Sequence, residues 1–343
     1  MTKAEELLSA FKRFEATITM SAIGVKADLV EQAVALDPRI AYYISSLSAS
    51  TSGMKIIFSV QYSNTNVPLD DIHTVSTDAE AYSLISRYVG NFKRHLVLFA
   101  KPIVNVNRMY NKFSEVEAPY HSNFIGVSIS EGNTSLTPLI FYYFDFDYRL
   151  GRVKLAMMEN ETNAEVARIA KMLFLPSMNE ETKAFLAHNY LAHTIKYTLK
   201  ENASDVEHGY MQSAYGALIK HKCVCQGYAE AYKRLMNYAG IQCDVVTGQT
   251  KGSDEYHAWN ILRLNGGCDN YHVDVTWDST DVKVLYNYFG LKDSDFVGQR
   301  TWNKELNARC NSAKNLLIEG RRGIMRFKSQ LLANGVSIQM LGY

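Results

Sequence analysis

Neither sign of charge dominates this sequence: 36 Lys plus Arg stand against 35 Asp plus Glu in 343 residues, a formal charge of +1. Without a basic excess, binding driven mainly by nucleic-acid phosphates is not expected. Long apolar runs are missing as well. The longest, Leu139 to Phe144, falls far short of the ~18 residues of a membrane span, so no span is expected. The first residues, Met1-Thr2-Lys3-Ala4-Glu5-Glu6, contain no basic segment followed by an apolar run. As written the chain carries no secretory signal, which makes the cytoplasm the default expectation and secretion the alternative for a trimmed chain. Cysteine is sparse and odd in number, five in all, with four between Cys223 and Cys268. That pattern favours a reducing compartment over a disulfide scaffold.

What is present is ordinary for a folded chain: 47% hydrophobic and 21% charged residues, far from the composition of disorder. The length predicts about two domains, each able to hold a core. Apolar residues at helical spacing (Leu7, Leu8, Phe11, Phe14) predict an N-terminal helix. Segments 55–62, 95–99, 124–130 and 139–148 are rich in β-branched and aromatic residues, and predict strands. Residues 1–159 are therefore expected to form an α+β domain of unknown role, with no phosphate loop, paired-carboxylate site, metal-ligand cluster or repeat. From Thr162 the period becomes helical, with Val166, Ile169, Ala170 and Leu173 in one helix and Phe185, Leu186, Leu191 and Ile195 in another. These open a second domain, 160–343. His188 and His193 lack the one-face spacing of a zinc protease and are expected on helix surface or core.

The chemistry concentrates around Cys225. Ala229, Tyr232, Leu235, Met236 and Ala239 share one helical face and Gly240 is a natural stop, so the helix should begin close to Cys225. A thiol there faces unpaired N–H groups that favour the thiolate, although a buried cysteine acting as a small hydrophobe is the commoner fate. Downstream, 256–263 and 270–276 read as strands joined across Asn265-Gly266, the strongest short hairpin signal. A two-residue turn there puts His257 directly opposite Asp274, with Cβ atoms about 4.5–5.5 Å apart. A carboxylate facing an imidazole fixes its tautomer, and the other ring nitrogen can take a thiol proton. Cys225, His257 and Asp274 thus make a complete nucleophile, base and orienting acid; a polar hairpin face is the bland alternative.

At these residues the sequence resembles the transglutaminase-like superfamily, whose fold is related to papain-like cysteine peptidases, and the bacterial type most. The motifs are Ser213-Ala-Tyr-Gly-Ala-Leu with Val224-Cys-Gln-Gly-Tyr-Ala, then His257-Ala-Trp-Asn, then Val273-Asp-Val-Thr-Trp-Asp278. The resemblance implies an α+β core in which a helix bearing Cys225 packs on an antiparallel sheet bearing His257 and Asp274, followed by a C-terminal helical extension. It implies the same three catalytic residues; from the residues themselves, which show neither zinc spacing nor a calcium ligand set, no cofactor and no metal are expected.

Cys223 stands where the family often has glycine, and packing is expected of it rather than a bridge to its neighbour. Cys243 and Cys268 are expected to be structural thiols. The Cys225 N–H is a candidate oxyanion donor, with Gln212 or Tyr215 as a second. Trp259 and Trp277 are expected to wall the cleft or to join the core. Gly227 and Tyr228 serve a tight entry into the helix. Asp278 and Asp281 are too few for calcium and are read as a solvated loop. Val284 to Phe289 is expected to add a strand or edge, Lys304 to Leu317 a helix, and the basic run Arg321, Arg322, Arg326, Lys328 a solvated face. The expected function is acyl transfer on peptide or protein amides through a thioester, leaning to hydrolysis. Protein crosslinking, in which a lysine amine accepts the acyl group, is the alternative within that chemistry. Arylamine acetyl transfer and removal of glycans from asparagine stay minor possibilities, and a binding scaffold that lost turnover is the rival from another class.

Overall fold

The computed structural model describes residues 1–116, 123–198, 204–252, 256–280, 283–305 and 307–342. The chain divides into two compact units, one of residues 1–117 and 124–147, the other of 118–123 and 148–343. The expected junction at 159/160 falls inside one continuous helix, Arg152–Leu173, so the division belongs near Asp147–Tyr148.

The first unit mixes helices with two sheets. Thr2 caps the opening helix Lys3–Lys12 in a capping box with Glu5, and buries its Leu7 and Phe11 face. One sheet has the order Thr17–Ser21, Lys55–Tyr62, Ile44–Ser52, all antiparallel. The other has the order Ile72–Val75, His95–Ala100, Thr137–Tyr148, Phe124–Thr134. Its first two strands are parallel and are joined through the helix Asp78–Gly90, which Thr77 caps, as a parallel pair requires. Ile72, Val97 and Phe99 are wholly buried and share one core with Leu7, Phe11 and Phe58.

The second unit is built on a five-stranded antiparallel sheet in the order Phe289–Leu291, Asp269–Val273, Tyr256–Leu264, Gln242–Thr250, Arg300–Trp302. The helix Cys225–Tyr238 packs on its central strands, with Ala229 against Val245 and Ala258. Asn260 ties helix to sheet, its side-chain amide donating to Ala229 O at 3.0 Å. Behind them the buried helix Glu180–Thr194 receives the helix Leu316–Ala333 closely, because Gly320 and Gly323 leave no Cβ to meet Phe185 and Thr182. That last helix carries the basic run; Arg322 pairs with Glu319, and Arg321 lies over the Tyr286 ring.

Two C-terminal expectations change. Val284 forms only an isolated bridge to Ser279, and the edge strand is Phe289–Leu291. The helix expected over 304–317 instead starts at Leu316, where Asn315 caps it by accepting from the Ile318 N–H at 3.1 Å. Asparagine is among the residues best suited to cap a helix start.

Candidate active site

The helix holding Cys225 starts at that residue and stops just before Gly240, whose φ of +77° suits glycine alone. The first turn is tight. A Cβ at Gly227 would stand 2.5 Å from Cys223 Cβ and 2.9 Å from Ser213 O. Tyr228 anchors the turn by donating its hydroxyl to Ile195 O at 2.8 Å. Cys223 is buried beneath it, where burial pushes its thiol well up, while Cys225 is half-exposed. All five cysteines are free; Cys243 and Cys310 are buried, and Cys268 is exposed on the hairpin turn rather than packed.

The hairpin register differs from expectation by two residues. Residues 265–268 form a four-residue connection in place of a two-residue turn, and Asn260 pairs with Val273, Leu264 with Asp269. A shift of two keeps every side chain on its face. His257 and Asp274 therefore still meet, diagonally rather than directly opposite. Strand pairing ends at Val273, and Asp274 becomes the cap of the short helix Val275–Asp278, its Oδ1 accepting from the Trp277 N–H at 3.1 Å. His257 Nε2–H donates to Asp274 Oδ2 at 2.7 Å. That leaves Nδ1 as the ring nitrogen available to Cys225, whose thiol is hydrogen-bonded to the imidazole.

Three ionisable groups thus form a chain from a half-exposed thiol to a fully buried carboxylate. Burial alone would raise Cys225. The hydrogen bond and charge of His257, with help from the Ala258 N–H, outweigh burial and bring the thiol below its ordinary value. Burial would lower His257, but the charge and hydrogen bond of Asp274 together with Cys225 raise it to about 9. Burial likewise works against ionised Asp274, and His257, Arg300 and the Trp277 N–H reverse it. The arrangement favours thiolate, imidazolium and carboxylate together, a nucleophile with a proton donor beside it.

The two tryptophans divide. Trp277 is half-buried, and its ring centroid lies 5.4 Å from that of His257. Trp259 is 1% exposed, so it is a core residue beneath His257; its indole N–H donates to His272 Nδ1 at 3.0 Å. Tyr215 is engaged elsewhere. It is buried against Tyr210, and its hydroxyl is hydrogen-bonded to Glu161 of the long helix. Gln212 ends the helix Asp205–Met211, and among the described residues no hydrogen bond joins its side chain to the three groups.

Sequence reasoning missed several buried polar pairs here. Asp278 is not in a solvated loop: it is fully buried, faces His188 Nε2 at 3.0 Å, and accepts from the Tyr288 N–H at 3.0 Å. Asp281 lies outside the described residues. His272, Asp293 and Cys310 also come together, their ligand atoms within 4.8 Å of one another. Because Trp259 donates to His272 Nδ1, the ring proton sits on Nε2 and points at Asp293, 2.9 Å away. A cation there would need that nitrogen's lone pair, so the set reads as a core hydrogen-bond network. Arg300, fully buried and 2.5 Å from Asp274, carried no local sequence signal. Its strand reaches the site because Gly248 opposite has no side chain to meet Thr301 and Trp259.

Comparison with known proteins fits this geometry. Residues 167–277 match the family model described as Transglutaminase-like superfamily. Over 86 residues the chain is 36% identical to the kyphoscoliosis peptidase of Homo sapiens and equally to that of Mus musculus. Those alignments take in 22% of this chain and only 13% of each relative. Among solved structures, one of a TGase aligns over 67% of both chains at 14% identity with a TM-score of 0.30. Among the described residues no helix is long and apolar enough to cross a membrane. The segment 167–277, which matches the transglutaminase-like family model, is the one that holds Cys225, His257 and Asp274.

Proposed function

We propose that the chain is a cysteine-dependent acyl-transfer enzyme acting on peptide or protein amides, with Cys225 as nucleophile, His257 as base and acid, and Asp274 as the group that orients His257. The observation that carries this reading is the continuous hydrogen-bonded chain from the Cys225 thiol through His257 to the buried Asp274 carboxylate. The Cys225 thiolate attacks the amide carbonyl carbon and forms the C–S bond, and the oxygen carries the negative charge of the tetrahedral intermediate. The Cys225 N–H at the helix start is the donor offered to that oxygen. As the carbonyl re-forms, the C–N bond breaks, and the leaving nitrogen takes the proton held on His257. A thioester remains. A water or an amine then gives His257 a proton and attacks the thioester, releasing the acyl group and restoring the thiolate.

The curated relatives are named peptidases, which supports water as the acceptor over an amine. Dimethylated casein incubated with the full chain, with and without a labelled primary amine, tests both parts by mass spectrometry. Hydrolytic mass changes that persist in the presence of amine and vanish with Cys225→Ala are expected. Incorporation of the amine without cleavage or deamidation would replace hydrolysis by crosslinking. Mass changes as large with Cys225→Ala as with wild type would overturn Cys225 as the nucleophile, and no mass change with wild type would favour a binding role.

A further inference from the structure

Asp274 has a second charged partner that takes no part in the acyl-transfer steps. Arg300 Nη2 lies 2.5 Å from Asp274 Oδ2, the same oxygen that accepts from His257 Nε2 at 2.7 Å. Both side chains are fully buried. The guanidinium is boxed by aromatic rings, its Cζ 4.0 Å from the centroid of Trp277, 4.7 Å from Phe296, 5.0 Å from Trp259 and 5.4 Å from Tyr288. None of its three nitrogens has a hydrogen-bond partner among the described residues, so the contact of Nη2 with Asp274 is an ion pair. An arginine recruited for stability alone would engage a carboxylate through both arms of its fork and satisfy its remaining donors. This one leaves donors unmet, and brings one nitrogen to the oxygen that faces the imidazole.

We infer that Arg300 is a positioning residue for the acyl-transfer reaction, a fixed cation that holds Asp274 as the carboxylate facing His257 and moderates the pull of that carboxylate on the imidazolium. The inference rests on the proposed roles of Cys225 and His257. With Arg300 present, thiolate, imidazolium, carboxylate and guanidinium sum to zero charge, and so does the thiol with neutral imidazole. Without it, both states carry one net negative charge in a site largely closed to water, and every neighbouring proton is held more tightly. An imidazolium facing an uncompensated carboxylate becomes a weaker acid, less able to give its proton to the leaving nitrogen. The other ionisable groups around the set are already committed. His272 is pushed down to about 4, chiefly by burial, and donates to Asp293, while Asp278 is engaged by His188 and the Tyr288 N–H. Besides His257, the cation paired with Asp274 among the described residues is Arg300.

The test compares the full chain with Arg300→Met, which fills the aromatic box without charge, and with Arg300→Lys, which keeps the charge and loses the fork. Two midpoints are read: deprotonation of His257 by NMR of labelled imidazoles, and thiolate formation at Cys225 from the pH dependence of iodoacetamide alkylation. In Arg300→Met both midpoints should rise, that of His257 by about one pH unit. In Arg300→Lys they should stay near wild type while alkylation slows. Wild-type midpoints in a folded Arg300→Met chain would overturn the inference, as would Arg300→Lys shifting as far as Arg300→Met. If Arg300→Met does not fold, Arg300→Gln supplies the neutral comparison. If neither neutral variant folds, unmoved midpoints in Arg300→Lys support the inference and moved ones overturn it. The two readings fail separately. Cys225 reacting at pH 6 no faster than exposed Cys268 would remove the acyl-transfer reading, while the His257 titration would still decide whether Arg300 sets its proton affinity.

Discussion

Asp274 has no solvent to share its charge with, so the protein alone keeps it ionised: His257, Arg300 and the Trp277 N–H. Asp274→Asn would keep the size but can present its amide to His257 Nε2 and reverse the tautomer. An amide-cleaving rate lowered by at least about 100-fold, with the fold intact by circular dichroism, is expected; a drop under threefold would remove Asp274 from the mechanism. Glu230, one turn beyond Cys225, is a buried carboxyl with a different task. It accepts from the Ala214 N–H at 3.1 Å and from Gln226, yet burial raises it from 4.5 to about 7. Between those values the folded chain holds a proton that the unfolded chain has released, so its contribution to stability is full below pH 4.5 and declines as pH rises through about 7. Glu230→Gln keeps the acceptor and removes the charge. Its urea stability should therefore gain on wild type by up to about 3 kcal/mol between pH 4.5 and 8; parallel curves for the two proteins would refute this. Cys225, His257 and Asp274 were legible because each sits beside a local signal, a helix start or a hairpin. Arg300, Asp278 and Glu230 were not, because their partners lie far along the chain or depend on burial that no short window of sequence reports.

At the scale of elements, the helix entry and the hairpin govern the geometry, and they were legible to different degrees. The helix bounds followed from apolar spacing and Gly240. The hairpin's existence followed from Asn265-Gly266, but its register did not. Asn265 and Gly266 both adopt positive φ, and Gly267 and Cys268 extend the connection to four residues, which moves the pairing by two. The even shift preserved the faces, which is why a wrong register still brought the right side chains together. The entry turn is less forgiving. Gly227→Ala would drive a Cβ into Cys223 and the Ser213 carbonyl, and the backbone oxygen cannot rotate away. A loss of about 1–3 kcal/mol is expected. Because Cys225 lies in the same turn, its alkylation at pH 7 should slow well beyond what the lost stability explains. An unchanged alkylation rate at reduced stability would mean that the thiol's position is set elsewhere.

At the scale of the molecule, every residue of the proposed chemistry lies within 148–343, the main segment of the second unit, which has its own sheet and a core running from Val166 to Leu341. Length, and the change from strand-like segments to helical period along the chain, made two units legible. Their junction was not, because the helix Arg152–Leu173 is amphipathic along its whole length, burying Leu155 and Met158 as well as Ile169 and Leu173, and only its second half stood out in sequence. The whole helix belongs to the second unit, and Glu159 in its first half pairs in bidentate fashion with Arg234 on the Cys225 helix at 2.6 and 2.7 Å. A chain of 148–343 alone keeps that helix whole, whereas one starting at 160 removes two buried anchors and leaves Arg234 without Glu159. The longer fragment does lose the bond from the Arg149 N–H to Asn123 O, worth about 1 kcal/mol. Expressed separately, 148–343 is expected to unfold cooperatively in urea and to retain accelerated alkylation of Cys225 below pH 8, while 160–343 is expected to be less stable by several kcal/mol. Equal stability of the two fragments would return the junction to residue 159, and failure of both to fold would make residues 1–147 part of what holds the site together.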